Sequence, residues 1–235
     1  SETSNIVTLL TREFGKVHAL AKGGRRPKGP FESALDLLSE CRVVFLRKSS
    51  EALDLLTEAK LEKRFRGRPG DLSSLYAGYY VAELLSELTH DLDPHPELYD
   101  TAVRTLAALS GTGTIAPIVL RFELLALHLV GHAPSWSTCV GCGTDVEPVG
   151  RVYFGHTGGG VLCGACRAGR KNVVSVSAGA IRVLAQYAEL ESEDWSDVEL
   201  PARGGGEIRA LVNHYLCHVI GRRPRMHAYL GFLSG

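Results

Sequence analysis

The stretch that decides how the second half of this chain is built runs from Cys139 to Cys166 and reads CVGCGTDVEPVGRVYFGHTGGGVLCGAC. It holds two Cys-x-x-Cys pairs, Cys139 with Cys142 and Cys163 with Cys166, separated by 20 residues. A tight turn over each pair points both sulfurs to one side, and a hairpin between the turns brings the four sulfurs to the corners of a tetrahedron. Because four thiolates leave no open coordination position, the spacing predicts one structural zinc ion per chain. An iron–sulfur cluster also takes four thiolates but is rarer at this spacing.

The residues between the two pairs are typical of the connecting hairpin. Arg151–Phe154 and Val161–Leu162 predict its strands, and His156–Gly160 predicts its turn. Glycine suits the tight turns around the cysteines, where amides crowd toward sulfur or φ is positive, at positions Gly141, Gly143 and Gly164. His156 is an alternative ligand to one cysteine, but an exposed hairpin residue is the simpler interpretation.

Upstream, the first 66 residues predict a series of short strands. Ile6–Thr11, Val17–Lys22 and Arg42–Arg47 have strand composition, and Leu53–Phe65 suits either a strand or a helix. A loop rich in glycine and proline, residues 23–30, separates the second strand from the third. Short strands at close spacing predict a small β-barrel.

The hydrophobic period changes after the predicted linker Gly67–Gly70. Asp71 or Ser73 is placed to cap a helix, whose apolar face we expect to comprise Leu75, Tyr79, Ala82, Leu85 and Leu88. Further helices are predicted at about 97–109, 117–129, 178–190, 206–220 and 225–233. The sequence therefore predicts an α+β protein with an N-terminal β-barrel domain at 1–68 and a helical domain at 71–235, into which a zinc finger at 136–170 is inserted.

Charge is distributed unevenly along the chain. The whole sequence of 235 residues has 26 Lys+Arg and 26 Asp+Glu, but residues 1–70 have 14 and 9, and residues 71–235 have 12 and 17. A basic first part indicates a polyanionic partner, with a solvated charged face as the alternative. No apolar run is long enough to span a membrane, and the opening residues SETSNIVTLL have no basic leader region, so we expect a cytoplasmic chain with reduced cysteines.

The first two predicted strands, Ile6–Thr11 and Val17–Lys22, form a hairpin that we call the cationic hairpin. Six basic residues of this hairpin and its exit loop are the candidates for contacts with phosphates, namely Arg12, Lys16, Lys22, Arg25, Arg26 and Lys28. Three phenylalanines offer stacking faces, Phe14, Phe45 and Phe65, although Phe45 in an apolar strand is better suited to the core. We predict no catalytic residue. The histidine pairs four residues apart lack the glutamate of a metalloprotease helix, and no phosphate-binding loop is present.

On these residues the chain resembles the bacterial recombination mediator family RecO, in particular its zinc-containing members. The matching stretches occur in the family's order and cover nearly the whole chain: Ser1–Ser4 (SETS), Leu10–Lys16 (LTREFGK), Ala21–Arg26 (AKGGRR), Tyr76–Leu85 (YAGYYVAELL), Arg121–Leu125 (RFELL) and the Cys139–Cys166 segment.

The resemblance implies an OB-fold, a helical domain and an inserted zinc finger, and it implies no catalysis. It also implies binding of single- and double-stranded DNA, annealing of complementary strands, and help in loading a recombinase onto DNA coated by single-strand-binding protein. The implied partners are the mediator RecR and the C-terminal tail of single-strand-binding protein, and the implied location is the cytoplasm near the nucleoid. Two alternatives stay open: a zinc-ribbon adaptor that binds only protein, and an RNA-binding OB-fold protein.

Overall fold

A computed structural model describes residues 3–24, 31, 34–48, 53–190, 200 and 204–234. The chain divides into two compact units, residues 1–112 and 113–235. An N-terminal sheet of strands comes before the first helices, which confirms the predicted α+β class with an OB-like N-terminal sheet. In the part of the first unit that the structure describes there are four strands and two helices, namely β1 (Asn5–Thr11), β2 (Gly15–Ala21), β3 (Ser39–Leu46), β4 (Asp54–Arg64), α1 (Leu72–Leu88) and α2 (Pro96–Ser110).

The four strands form one sheet in the order β1-β2-β4-β3. β1 and β2 are an antiparallel hairpin, β2 runs parallel to β4, and β4 is antiparallel to β3. All four predicted strands are confirmed, and the stretch that suited either a strand or a helix is the long strand β4. Its first residues alternate between buried and intermediate positions, and pairing with both β2 and β3 favours the extended form over its helical composition.

Alternation of small and branched apolar residues gives the sheet its core. Val17, Ala19 and Ala21 of β2 are buried in one cluster with Leu56 of β4 and with Phe31. Phe14, at the β1–β2 turn, meets the ring of Phe45 on β3 edge to face, with the ring centroids 5.4 Å apart. Because β4 separates β2 from β3 in the strand order, a contact between the β1–β2 turn and β3 fits a curved sheet, as in an OB-fold.

Helix α1 begins where the cap was predicted. The Asp71 carboxylate accepts hydrogen bonds from the backbone amides of Ser73 and Ser74, at 2.9 and 3.4 Å. The predicted apolar face is wrong by about one residue, because the buried positions are Ser74, Ala77, Gly78, Tyr80, Val81, Leu84 and Leu85. Gly78 explains part of this shift: a Cβ there would lie 2.3 Å from the ring of Phe65, so the glycine lets that buried ring pack against the helix.

The described residues of the second unit form three α-helices, three strands and two short 3₁₀ helices. They are α3 (Ile115–Leu129), β5 (Arg151–Gly155), β6 (Gly160–Leu162), β7 (Val173–Ser177), α4 (Ala178–Ala188), α5 (Gly205–Ile220) and the 3₁₀ helices Arg225–Tyr229 and Gly231–Ser234. The strands form a sheet in the order β6-β5-β7. The predicted hairpin is confirmed as β5 and β6, whereas β7 was not predicted; a five-residue strand is too short to be distinguished by period from the start of α4.

Helix α3 is the central element of the second unit. Every residue from Ile118 to Leu127 is buried, including Arg121 and Glu123. A helix that is apolar around its whole circumference is an interior helix, and charges within it need partners. Arg121 donates hydrogen bonds to the carbonyls of Tyr187 and Leu190, at 2.5 and 3.3 Å, and so closes the C-terminal end of α4. Two side chains of the RFELL stretch are therefore core polar residues.

The division into domains at residue 68 stays a prediction. The compact units place the boundary at residue 112, since α1 and α2 group with the N-terminal sheet. Arg68 contributes to this grouping, because its Nε donates to the carbonyl of Leu109 at 3.1 Å. Among the helices of the described residues, none has the length and hydropathy needed to cross a membrane.

Candidate metal centre and cationic hairpin

The four cysteines converge on one point of the second unit. Their sulfurs all lie within 4.8 Å of one another, and the sulfurs of Cys142 and Cys163 are 3.8 Å apart. Tetrahedral coordination with metal–sulfur bonds of about 2.3 Å places sulfurs about 3.8 Å apart. The predicted ligand set is therefore close enough to hold one metal ion.

Backbone pairing brings the two Cys-x-x-Cys turns together. The amide of Val140 donates to the carbonyl of Val161 at 3.0 Å, and the amide of Val161 donates to Ser135 at 2.9 Å. The first turn thus lies directly beside β6, which leads into the second turn. The fixed hairpin register explains how cysteines 20 residues apart in sequence come to share one site.

Amide donors surround the sulfurs. Cys139 Sγ accepts from the amides of Gly141 and Cys163, at 3.4 and 3.3 Å, and Cys163 Sγ accepts from the amide of Cys166 at 3.4 Å. Burial raises the pKa of Cys139, but these amides lower it by more, to about 6. Hydrogen bonding to the neighbouring thiols of Cys142 and Cys163 raises the pKa of Cys166 to about 12. Four clustered thiols therefore resist full ionisation unless a cation offsets their charge.

The glycines of the cysteine turns differ in what they do. A Cβ at Gly141 would lie 2.9 Å from Cys166 Cβ and 3.0 Å from its sulfur, so the two turns can approach only because residue 141 has no side chain. Gly143 has φ of +76°, a conformation that favours glycine. A Cβ at Gly164 would meet nothing within 4 Å, and its φ is not positive, so neither crowding of a side chain nor backbone conformation requires glycine there.

His156 lies in the hairpin turn but is not exposed, so our interpretation of it is wrong. It is 7% exposed, packed with its ring 5.4 Å from Phe154 and 5.7 Å from His214. Burial, and then the nearby His214 and His218, lower its pKa to about 4. The sequence gives no signal for this burial, because α5 covers the turn from more than 50 residues away.

The structure places the cationic hairpin residues in different surroundings. Arg12 forms a two-pronged ion pair with Asp100, with Nε–Oδ1 and Nη2–Oδ2 distances of 3.0 and 3.1 Å. Lys16 Nζ donates to the carbonyls of Ser86 and Thr89, at 2.9 and 2.8 Å, so it caps the C-terminal end of α1. Both side chains thus have partners within the first unit.

Lys22 is exposed just beyond the end of β2. Six residues of extended strand separate it from Lys16, which corresponds to about 20 Å. Arg25, Arg26 and Lys28 lie outside the described residues. Of the aromatic candidates, Phe14 is 48% exposed, whereas Phe65 is buried at 9% and Phe45 packs against the core. Phe14 is the stacking face that the described hairpin presents to solvent.

A curved OB-like sheet followed by a helical unit that carries a four-cysteine metal centre defines the class of this protein. Comparison with known families makes the assignment specific. The family model for the N-terminal part of Recombination protein O matches residues 1–65, and the model for its C-terminal part matches residues 69–227.

Individual relatives agree over almost their whole length. The chain is 40% identical to the DNA repair protein RecO of Rhodopirellula baltica, over 98% of this chain and 94% of that protein. It is 37% identical to the DNA repair protein RecO of an Anaeromyxobacter species, strain Fw109-5, and 33% identical to that of Anaeromyxobacter dehalogenans; each match covers 97% of this chain and 90% of the relative. The chain belongs to the RecO family.

Proposed function

We propose that this protein is a recombination mediator in DNA repair, which acts by binding single- and double-stranded DNA, annealing complementary strands and assisting recombinase loading onto DNA coated by single-strand-binding protein. The observation that carries the proposal is the match to both family models together with relatives named DNA repair protein RecO. Binding rather than catalysis is the expected mode of action, at the nucleoid in the cytoplasm, with RecR and the tail of single-strand-binding protein as partners.

The cationic hairpin supports binding to nucleic acid. An OB-like groove follows a phosphate backbone by charge and stacks bases on aromatic faces. Lys22 and Phe14 are the exposed described residues suited to these tasks, and the exit loop adds Arg25, Arg26 and Lys28 by sequence. Arg12 and Lys16 can contact phosphates only if DNA displaces their partners within the unit or binds beside them. We therefore assign most of the phosphate contacts to the exit loop.

A fluorescent oligonucleotide titrated against the protein at several salt concentrations tests this proposal. We expect the variant Arg25→Glu/Arg26→Glu to weaken binding and to flatten the dependence of affinity on salt, because each lost phosphate contact removes about 0.7 from the slope of log K against log salt on a single strand. Lys16→Met is the matched control: its slope stays unchanged, since Lys16 binds backbone carbonyls. Wild-type protein that does not bind DNA at low salt contradicts the proposal.

Two further measurements separate a mediator from the alternatives. A protein-binding adaptor does not bind either nucleic acid in the salt titration, and an RNA-binding protein prefers an RNA oligonucleotide of the same sequence. A mediator accelerates annealing of complementary DNA strands in the presence of single-strand-binding protein, whereas a passive binder does not.

We also propose that the metal is zinc and that its role is structural. A set of four thiolates suits zinc, and it leaves no position for substrate or water. Elemental analysis is expected to give close to one zinc per chain, and Cys163→Ser is expected to lose the metal and to unfold at a lower temperature. Iron in that analysis, or a metal-free chain of unchanged stability, contradicts this assignment.

A further inference from the structure

The four cysteines and the sheet β6-β5-β7 around them form a part of the second unit that we call the metal module. Its surface is basic, and the proposed function does not explain that positive charge. Residues 148–188 contain five Lys or Arg and no Asp or Glu, in a chain that has equal numbers of basic and acidic residues overall. Two of the five are engaged: Arg151 pairs with Glu207 at 2.8 Å, and Arg182 donates to the carbonyl of Pro148 at 2.9 Å.

The other three cations, Arg167, Arg170 and Lys171, follow Cys166 within five residues and are all exposed. No carboxylate in the part of the chain that the structure describes forms an ion pair with any of them. Uncompensated cations grouped on one turn attract a polyanion, and their contribution is strongest where no acidic residue is nearby.

The turn that carries these cations is held in place by the second cysteine pair. The amide of Arg167 donates to the carbonyl of Cys163 and the amide of Arg170 donates to that of Arg167, both at 3.2 Å. Gly169, with φ of +74°, allows the chain to turn between them. The cations therefore stand on backbone that the metal site fixes, and little ordering is left to occur on binding.

The side chains themselves are partly positioned. The Cζ atom of Arg167 lies 3.9 Å from the centroid of the Tyr153 ring on β5, a cation–π contact that positions an otherwise exposed side chain. The Arg170 guanidinium packs beside Gly141 of the first cysteine turn, since its Nη2 lies 3.0 Å from where a Cβ on Gly141 would stand. An alternative role for the three cations is to offset the negative charge of the thiolates.

We propose that Arg167, Arg170 and Lys171 form a second phosphate-binding surface, through which the metal module contacts the backbone of a DNA strand. This inference rests on the proposed function, because it assumes that the chain binds DNA. It assigns a binding role to the module beyond holding the fold, and it predicts that the two compact units each contribute phosphate contacts. Phosphate is the chemistry that fits two guanidinium forks and one ammonium that form no ion pair with a carboxylate of the described residues.

The test uses the full chain saturated with zinc. We expect Arg167→Ala/Arg170→Ala/Lys171→Ala to bind a single-stranded oligonucleotide about 10-fold more weakly at low salt and to reduce the salt slope by about 2, since three phosphate contacts are lost. Arg182→Ala, which removes one exposed cation of the same acid-free stretch, is the control and leaves the slope unchanged. The melting temperature and the zinc content of every variant are measured alongside.

The outcomes distinguish this inference from the proposed function. If the wild-type chain binds DNA and the triple variant retains the full salt slope, the inference is wrong while the proposed function stands. A triple variant that fails to retain zinc under saturating metal also overturns the inference, because the cations then serve the thiolates. If the wild-type chain does not bind DNA, the proposed function is wrong, and the inference that rests on it is wrong as well.

Discussion

The buried ion pair of the second unit offers the sharpest test of how this fold is stabilised. Arg209, on α5, donates two hydrogen bonds to the Glu123 carboxylate on α3, at 2.6 and 2.7 Å. Glu123 is fully buried and Arg209 is 7% exposed. Asn213 accepts two further hydrogen bonds from Arg209, at 2.9 and 2.6 Å. We predict that Glu123→Leu strongly destabilises the unit, because it leaves a buried guanidinium without its counter-charge.

The magnitude follows from the geometry. Charge centres about 4 Å apart attract by about 4 kcal/mol at an effective dielectric of about 20. Removing one partner of a buried pair typically destabilises by about 3–5 kcal/mol, whereas replacing both by apolar residues is often nearly neutral. We therefore expect Glu123→Leu and Arg209→Met each to lower the free energy of unfolding by about 3–5 kcal/mol, and the double variant to recover most of that loss.

Urea unfolding followed by tryptophan fluorescence measures this effect in the right place, because both tryptophans of the sequence, Trp136 and Trp195, fall within residues 113–235. Glu123→Gln is a useful intermediate, since it keeps the shape and one acceptor but removes the charge. If the two single losses simply add in the double variant, the residues are not coupled and the reasoning from the buried pair is refuted.

Two further predictions concern the metal module. Gly141→Ala should lower metal affinity and the melting temperature, because its Cβ would lie 2.9 Å from Cys166 Cβ, while Gly164→Ala should change neither; equal effects of the two, measured by metal competition with a chelator, would contradict the packing argument. The pKa of His156 lies at about 4 in the folded chain, below its ordinary value of 6.5, so the unfolded chain binds more protons between these values and stability falls as pH drops from 6.5 toward 4. His156→Phe should reduce the pH dependence of the unfolding free energy in that window by up to about 1.4 kcal/mol per pH unit, and an unchanged pH profile would count against the burial of a neutral imidazole.

The metal centre was predictable because its signal is local. Each Cys-x-x-Cys pair is one tight turn, and the intervening hairpin is itself encoded by short-range pattern, so ligand identity and spacing already define the site. The strands of the OB-like sheet were found for the same reason, from alternation and breakers within each segment. What the pattern cannot give is which face of α1 is buried, since that depends on Phe65 packing against Gly78.

The charge pattern of the sequence predicts binding residues less well than the cysteine pattern predicts metal ligands, and Lys16 shows why. Its residue type and its place on a basic hairpin favour a phosphate contact, yet its amine closes the last turn of α1 some 70 residues further along the chain. The role of a lysine depends on which groups the tertiary fold places near its amine. Here these groups are the carbonyls of Ser86 and Thr89, and the hairpin sequence contains neither residue. Arg121 and Glu123 give the converse case: the helix pattern marks them as charges within an apolar run, and only the packing of α4 and α5 supplies their partners. Cations on this chain therefore indicate binding only where the fold leaves them without a compensating carboxylate, as at Arg167, Arg170 and Lys171. A count of charges along the sequence cannot distinguish these cations from those that, like Lys16, have a structural partner.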